Sequence, residues 1–103
     1  MKIWLDDIRP IPEGYTHWVK TPNEAIELIM LNETEHISFD HDLGLPEPTN
    51  GATVARFIEL EAYLGNIHRF TWEIHSANPV GRANIEAAML SAERFWEKAG
   101  KVT

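Results

Sequence analysis

Short apolar runs separated by stretches of helical periodicity leave few folds open to this chain. Ile3-Trp4-Leu5 is rich in strand formers and stops at Asp6-Asp7, so it reads as a first, buried strand. Pro10, Pro12 and Gly14 exclude a helix between Arg9 and Tyr15 and predict a loop leading to a second, edge strand, His17-Trp18-Val19. Thr21-Pro22-Asn23-Glu24 combines a hydroxyl N-cap, proline at the first helical position and glutamate at the third. It predicts a helix whose Ala25, Ile26, Ile29 and Met30 share one core-facing side, with a stop near Asn32.

The pattern then repeats. Ile37-Ser38-Phe39 reads as a third strand running straight into Asp40-His41-Asp42, and the proline-containing stretch from Leu43 to Gly51 as either a mobile flap or a plain surface connection. Val54, Phe57, Ile58 and Ala62 mark a second helix ending near Gly65. Phe70 to His75 alternates apolar and polar, as a strand with one less covered face does. Asn78-Pro79 opens a last helix with the stripe Ile85, Met89, Ala92 and Trp96. With 103 residues there is room for one domain, and the order β-β-α-β-α-β-α predicts an α/β fold over 1–103. Its sheet should be small, open and mainly parallel, with about four strands and three helices.

Charge narrows the partners. Residues 1–50 hold ten acids and three bases, whereas residues 51–103 hold six of each, so all the excess negative charge lies in the first half. Such a surface has no basic face with which to bind duplex DNA or an anionic membrane. A small anion held through a metal stays compatible with it. With no cysteine there is no thiolate zinc site and no thiol nucleophile. The start turns acidic too early for a signal peptide, and no apolar run approaches the ~18 residues of a membrane span. A cytoplasmic protein is the expectation.

Candidate chemistry concentrates where strands stop. In open parallel sheets, ligands bind beyond the carboxyl ends of the strands, where strand order reverses. Asp6-Asp7, Asp40-His41-Asp42 and His75-Ser76-Ala77-Asn78 would bring four carboxylates and two imidazoles to that edge. Carboxylates gathered so repel one another, and a hard divalent cation, magnesium or manganese, relieves the repulsion. His41 and His75 could favour manganese, or stay unbound as proton donors. Ser76 to Arg82 could present backbone N–H groups and a guanidinium to a phosphate. The plainer alternatives are that the aspartates cap turns, that Asp7 pairs with Arg9, and that Asn78 is an ordinary helix cap. His17, His36 and His68 read as solvated polar residues, and the four tryptophans as core.

Leu5-Asp6-Asp7-Ile8-Arg9-Pro10, Ser38-Phe39-Asp40-His41-Asp42-Leu43-Gly44 and His75-Ser76-Ala77-Asn78-Pro79-Val80-Gly81-Arg82 resemble the cyclic-phosphate processing receiver-like domains, relatives of the response-regulator receiver. The resemblance spans nearly the whole chain and implies a truncated flavodoxin-like, receiver-like fold. It puts Asp6 and Asp7 in the place of the receiver's metal-binding acids, Asp40 in that of its phosphate-accepting aspartate, and Ser76 in that of its hydroxyl switch residue. There is no evident fifth strand ending in the receiver's lysine, which argues against ordinary phosphotransfer by Asp40.

The resemblance implies a metal-dependent phosphoesterase acting on cyclic phosphates of nucleotides or RNA ends. Asp6, Asp7, Asp40 and Asp42 are then the candidate ligands of Mg or Mn, Asp40, His41 and His75 the candidate catalytic groups, and Arg9, Ser76, Asn78 and Arg82 the candidate phosphate contacts. The alternative is a non-catalytic module that binds a phosphorylated nucleotide or a protein partner through the same acidic site.

Overall fold

A computed structural model describes residues 1–43 and 50–100. Most of the connection expected between Leu43 and Gly51 lies outside the described residues. The elements are β1 (Lys2–Leu5), β2 (His17–Val19), α1 (Pro22–Ile29), β3 (His36–Phe39), α2 (Gly51–Leu64), β4 (Thr71–Ile74) and α3 (Pro79–Gly100). The strands form one sheet in the order β2-β1-β3-β4, every pair parallel. Among the described residues this matches the first four strands of the doubly wound order 2-1-3-4-5.

The helices begin where the capping signals lie. Thr21 accepts a hydrogen bond from the Glu24 N–H and donates its own hydroxyl to the Glu24 carboxylate. Asn50 and Thr53 form a capping box for α2, which ends on Gly65 in the left-handed region at φ 76°. The stripe Ile85, Met89, Ala92 and Trp96 of α3 is buried as predicted. Ile26 and Phe57 are half-buried, and one stripe position departs outright. Met30, expected in the core, is 64% exposed, because α1 ends at Ile29 and the chain turns out toward Asn32, whose φ is 57°.

Handedness divides the sheet into two unlike faces. The connections β2-α1-β3 and β3-α2-β4 step across the sheet in one direction, so right-handed crossovers place both helices on the same face. There Ile3, Leu5, Ile37 and Phe39, all 0% exposed, join Ile29, Val54, Ile58, Ile85 and Met89 in the core. The step from β1 to β2 runs in the opposite direction, so its connection, residues 6–16, falls on the other face. Prolines keep that connection from being a helix, and it covers the face with side chains. Tyr15 sets its ring edge-on to Trp4 at 5.2 Å between centroids, and Trp4 Nε1 donates to the Arg9 carbonyl. Parallel sheets ordinarily carry helices on both faces. Among the described residues no helix is long and apolar enough to cross a membrane.

Candidate functional site

Strand register assembles the site. Leu5, Phe39 and Ile74 are aligned across β1, β3 and β4, so the next residues, Asp6, Asp40 and His75, stand side by side at the carboxyl ends. Backbone bonds continue the ladder one step further, from Asp40 N–H to Leu5 and from His75 N–H to Phe39, each 2.9 Å. Because side chains alternate, these three project on the face of Trp4, Ser38 and Glu73, where no helix of the described residues lies. The strand order reverses between β1 and β3, where open sheets bind ligands. One ligand atom each from Asp6, Asp40 and His75 lies within 4.8 Å of the others, close enough to hold a single ion.

The two carboxylates have opposite environments. Asp6 is 1% exposed, its Oδ1 accepts from the N–H groups of Ile8 and Arg9 at 2.8 Å each, and its Oδ2 is 3.0 Å from His75 Nε2. Burial alone would raise its pKa, but the two amides and His75 outweigh burial and hold the carboxyl below the ordinary value. Asp40 takes one amide, that of His41, at 2.8 Å. Burial, and then the negative charge of Asp6, push its pKa up.

The remaining sequence candidates fall around this group. Asp7, Asp42, Ser76 and Asn78 line the same cleft of about 240 Å³ together with Ile8, Arg9 and Ala77. Asp7 and Asp42 are therefore present at the cleft but outside the trio that shares one ion's reach. Arg9 donates to the His75 carbonyl at 2.9 Å, with its Nε 4.0 Å from Asp6 Oδ2. Asn78 is a helix cap, its Oδ1 accepting from Val80 and Gly81 N–H, and the Asn78 N–H is itself taken by Ser76 Oγ. These amides are thus used within the loop.

His41 and Arg82 do not line the cleft. The His41 ring lies so tightly on Gly81 that a Cβ there would sit 2.2 Å from its Cγ, and its Nδ1 meets Asp42 at 3.0 Å. Arg82 donates to the carbonyls of Ile74 and Ser76, buttressing the loop from its other side.

Composition hid two neighbours of the site. Trp4, read as core, stacks flat on the His75 imidazole, with 3.8 Å between centroids and 8° between planes. Ser38, fully buried, places Oγ 2.7 Å from His75 Nδ1. The signal was available in the two-residue alternation Trp4/Asp6, Ser38/Asp40 and Glu73/His75. The outlying histidines are also more engaged than expected. The His68 ring bonds the carbonyls of Asn32 and Arg69, and His36 meets Thr71 and Glu73.

Comparison with known proteins gives one match. The family model of the cyclic-phosphate processing Receiver domain matches residues 1–91, a span that includes all four strands and every cleft residue. No curated protein and no solved structure matches the chain.

Proposed function

The chain belongs to the cyclic-phosphate processing receiver domain family, and from that premise we propose that it is a metal-dependent phosphoesterase opening cyclic phosphates on nucleotides or RNA ends. The observation that carries the reading is the Asp6–Asp40–His75 group at the β1/β3 switch point. Its donor set, two carboxylates and one imidazole nitrogen, fits a divalent cation such as Mg or Mn. Burial first, and then the charge of Asp6, push the Asp40 carboxyl up, and a cation between the two carboxylates would relieve that repulsion. A cation there supplies Lewis-acid polarisation of a phosphoryl oxygen and a lower pKa for water.

The chain's own residues do the rest. Asp6, fixed by two amides, is a rigid anchor. Among the described residues, a single backbone amide, that of His41, reaches the Asp40 carboxylate. Arg9 brings positive charge to the cleft, where an anionic phosphate would lie. Hydrolysis forms one P–O bond to water as one ester P–O bond breaks, and the proton water loses is matched by the one the departing oxygen gains.

The test is incubation of purified protein with Mg2+ or Mn2+ and a panel of cyclic nucleotides and RNAs ending in 2′,3′-cyclic phosphate, read by mass spectrometry. A gain of one water in the ligand is the expected result, and no product across the panel with either metal overturns the reading. One observation favours the non-catalytic alternative: both Asp6 oxygens already take protein donors. In that case the ligand co-purifies and is recovered with its ring closed.

A further inference from the structure

One wall of the cleft continues into a larger hollow that the chemistry above does not use. Ala77 lines the cleft and also lines a groove of about 540 Å³ along the outer side of α3. Pro79, Ala83 and Leu90 give this groove apolar walls, and Arg82 and Glu86 are its charged side chains. Leu90 is 41% exposed there, whereas Ile85, Met89 and Ala92 bury the other side of the same helix in the core. We propose that the groove is the nucleoside subsite for a cyclic mononucleotide, with the base stacked on the Arg82 guanidinium, an inference that rests on the phosphoesterase reading above.

Position, preparation and charge point to that occupant. The cleft, at about 240 Å³, falls below the ~300 Å³ at which pockets enclosing a whole small ligand begin. A nucleotide with its phosphate beside Arg9 therefore extends its sugar and base outward, and across the shared Ala77 wall the groove is the adjoining space. Arg82 is prepared for the base. Its Nη1 donates to the Ile74 and Ser76 carbonyls at 3.0 and 3.1 Å, which fixes the guanidinium in the groove wall, and among the described residues no ion pair diverts it to Glu86 one turn on. A planar, delocalised cation held in this way is a stacking surface for any base. The end of an RNA strand would bring further phosphates, which need a basic track. Arg82 is the one basic residue lining the groove, its charged neighbour Glu86 is acidic, and residues 1–50 carry the chain's excess of acid. The groove suits a single nucleotide and not a strand.

Three compounds offered to the full chain with Mn2+ test the subsite: adenosine 2′,3′-cyclic phosphate, the base-less methyl riboside 2′,3′-cyclic phosphate, and a short RNA ending in 2′,3′-cyclic phosphate. Affinity is read as KM where turnover occurs and as Kd by equilibrium dialysis where it does not. The nucleotide is expected to bind about tenfold tighter than the riboside, and the RNA no tighter than the nucleotide. Arg82→Lys, which keeps the charge and loses the plane, should remove most of the nucleotide's advantage over the riboside. Ala83→Glu, at an exposed position in the groove, should do the same without touching the loop carbonyls, which keeps the test open should Arg82→Lys disturb the loop. Equal affinity for nucleotide and riboside in the parent, or an advantage that both variants leave intact, overturns the subsite even if cyclic phosphates are opened. RNA bound more than about tenfold tighter than the nucleotide, with a steep salt dependence, overturns the choice of a single nucleotide. An advantage that the variants abolish, without turnover of any compound, supports the subsite and removes the hydrolase reading. Absence of binding by all three compounds overturns both.

Discussion

Ile37 and Ser38 are adjacent in sequence and both fully buried, yet they belong to different parts of the molecule. Ile37 lies among the helix-covered side chains of the core, whereas Ser38 lies under the loop-covered face against His75. On the first face burial is apolar and its gain scales with area, at roughly 25 cal/mol per Å². On the second, burial is polar, and each group must find a partner or cost stability. The difference shows how a small sheet can separate duties: one face supplies stability, and the other holds the ordered polar groups that a binding site needs.

The largest expected effect is on the polar face. Asp40→Asn should lower turnover of a cyclic phosphate at least ~100-fold, the equivalent of ~3 kcal/mol of lost transition-state stabilisation. Circular dichroism should show the fold retained. Next comes the apolar face, where Ile37→Ala should lower unfolding stability by about 2–5 kcal/mol in urea titration. The activity of each folded molecule should stay unchanged. If Ile37→Ala damaged the active fraction as severely as Asp40→Asn, the division of duties between faces would be wrong.

A smaller effect is expected where the faces meet. Gly51 starts α2 against the end of β3, and a Cβ there would lie 2.0 Å from the Asp40 carbonyl oxygen. Gly51→Ala should therefore cost about 1–3 kcal/mol through forced backbone shifts. Weaker Mn2+ binding should accompany that loss, because Asp40 moves with the strand end. Unaltered affinity and stability would show that α2 does not set the position of Asp40.

The smallest effect is electrostatic and has opposite signs at the two carboxylates. The folded-state pKa of Asp40 is raised, so its protonated form favours folding, and that contribution is lost as pH rises from the ordinary value of 3.8 through the folded value. Asp6 is lowered, so its contribution is present above 3.8 and lost as pH falls through the folded value. In metal-free protein, Asp40→Asn should then be more stable than the parent at neutral pH, and the advantage should shrink as pH falls through the folded value of Asp40 toward 3.8. Urea unfolding at several pH values in chelator checks this, and an advantage that grows in acid would contradict it.

Much of the architecture was legible in the residues. Capping signals at Thr21 and Asn78, with the stop at Gly65, fixed the helices because they act through neighbouring backbone groups. The acids that end β1 and β3 pointed to the candidate site because strand ends converge in a parallel sheet. His41 was less legible, since its position two residues beyond the strand gives no hint that Gly81 would leave room for its ring. Trp4 is buried as its composition implies, but only pairing shows that the residue two before Asp6 also lies under His75.

The order of elements, the caps and the acidic strand ends were written in the chain itself, because each depends on residues within a turn or a strand of one another. Which three side chains meet was decided only in three dimensions. Parallel register set Asp6, Asp40 and His75 abreast, and the reversed step from β1 to β2 sent a proline-broken loop, not a helix, over their face. Register and crossover direction are properties of distant segments packed together, and no local stretch of sequence encodes them alone.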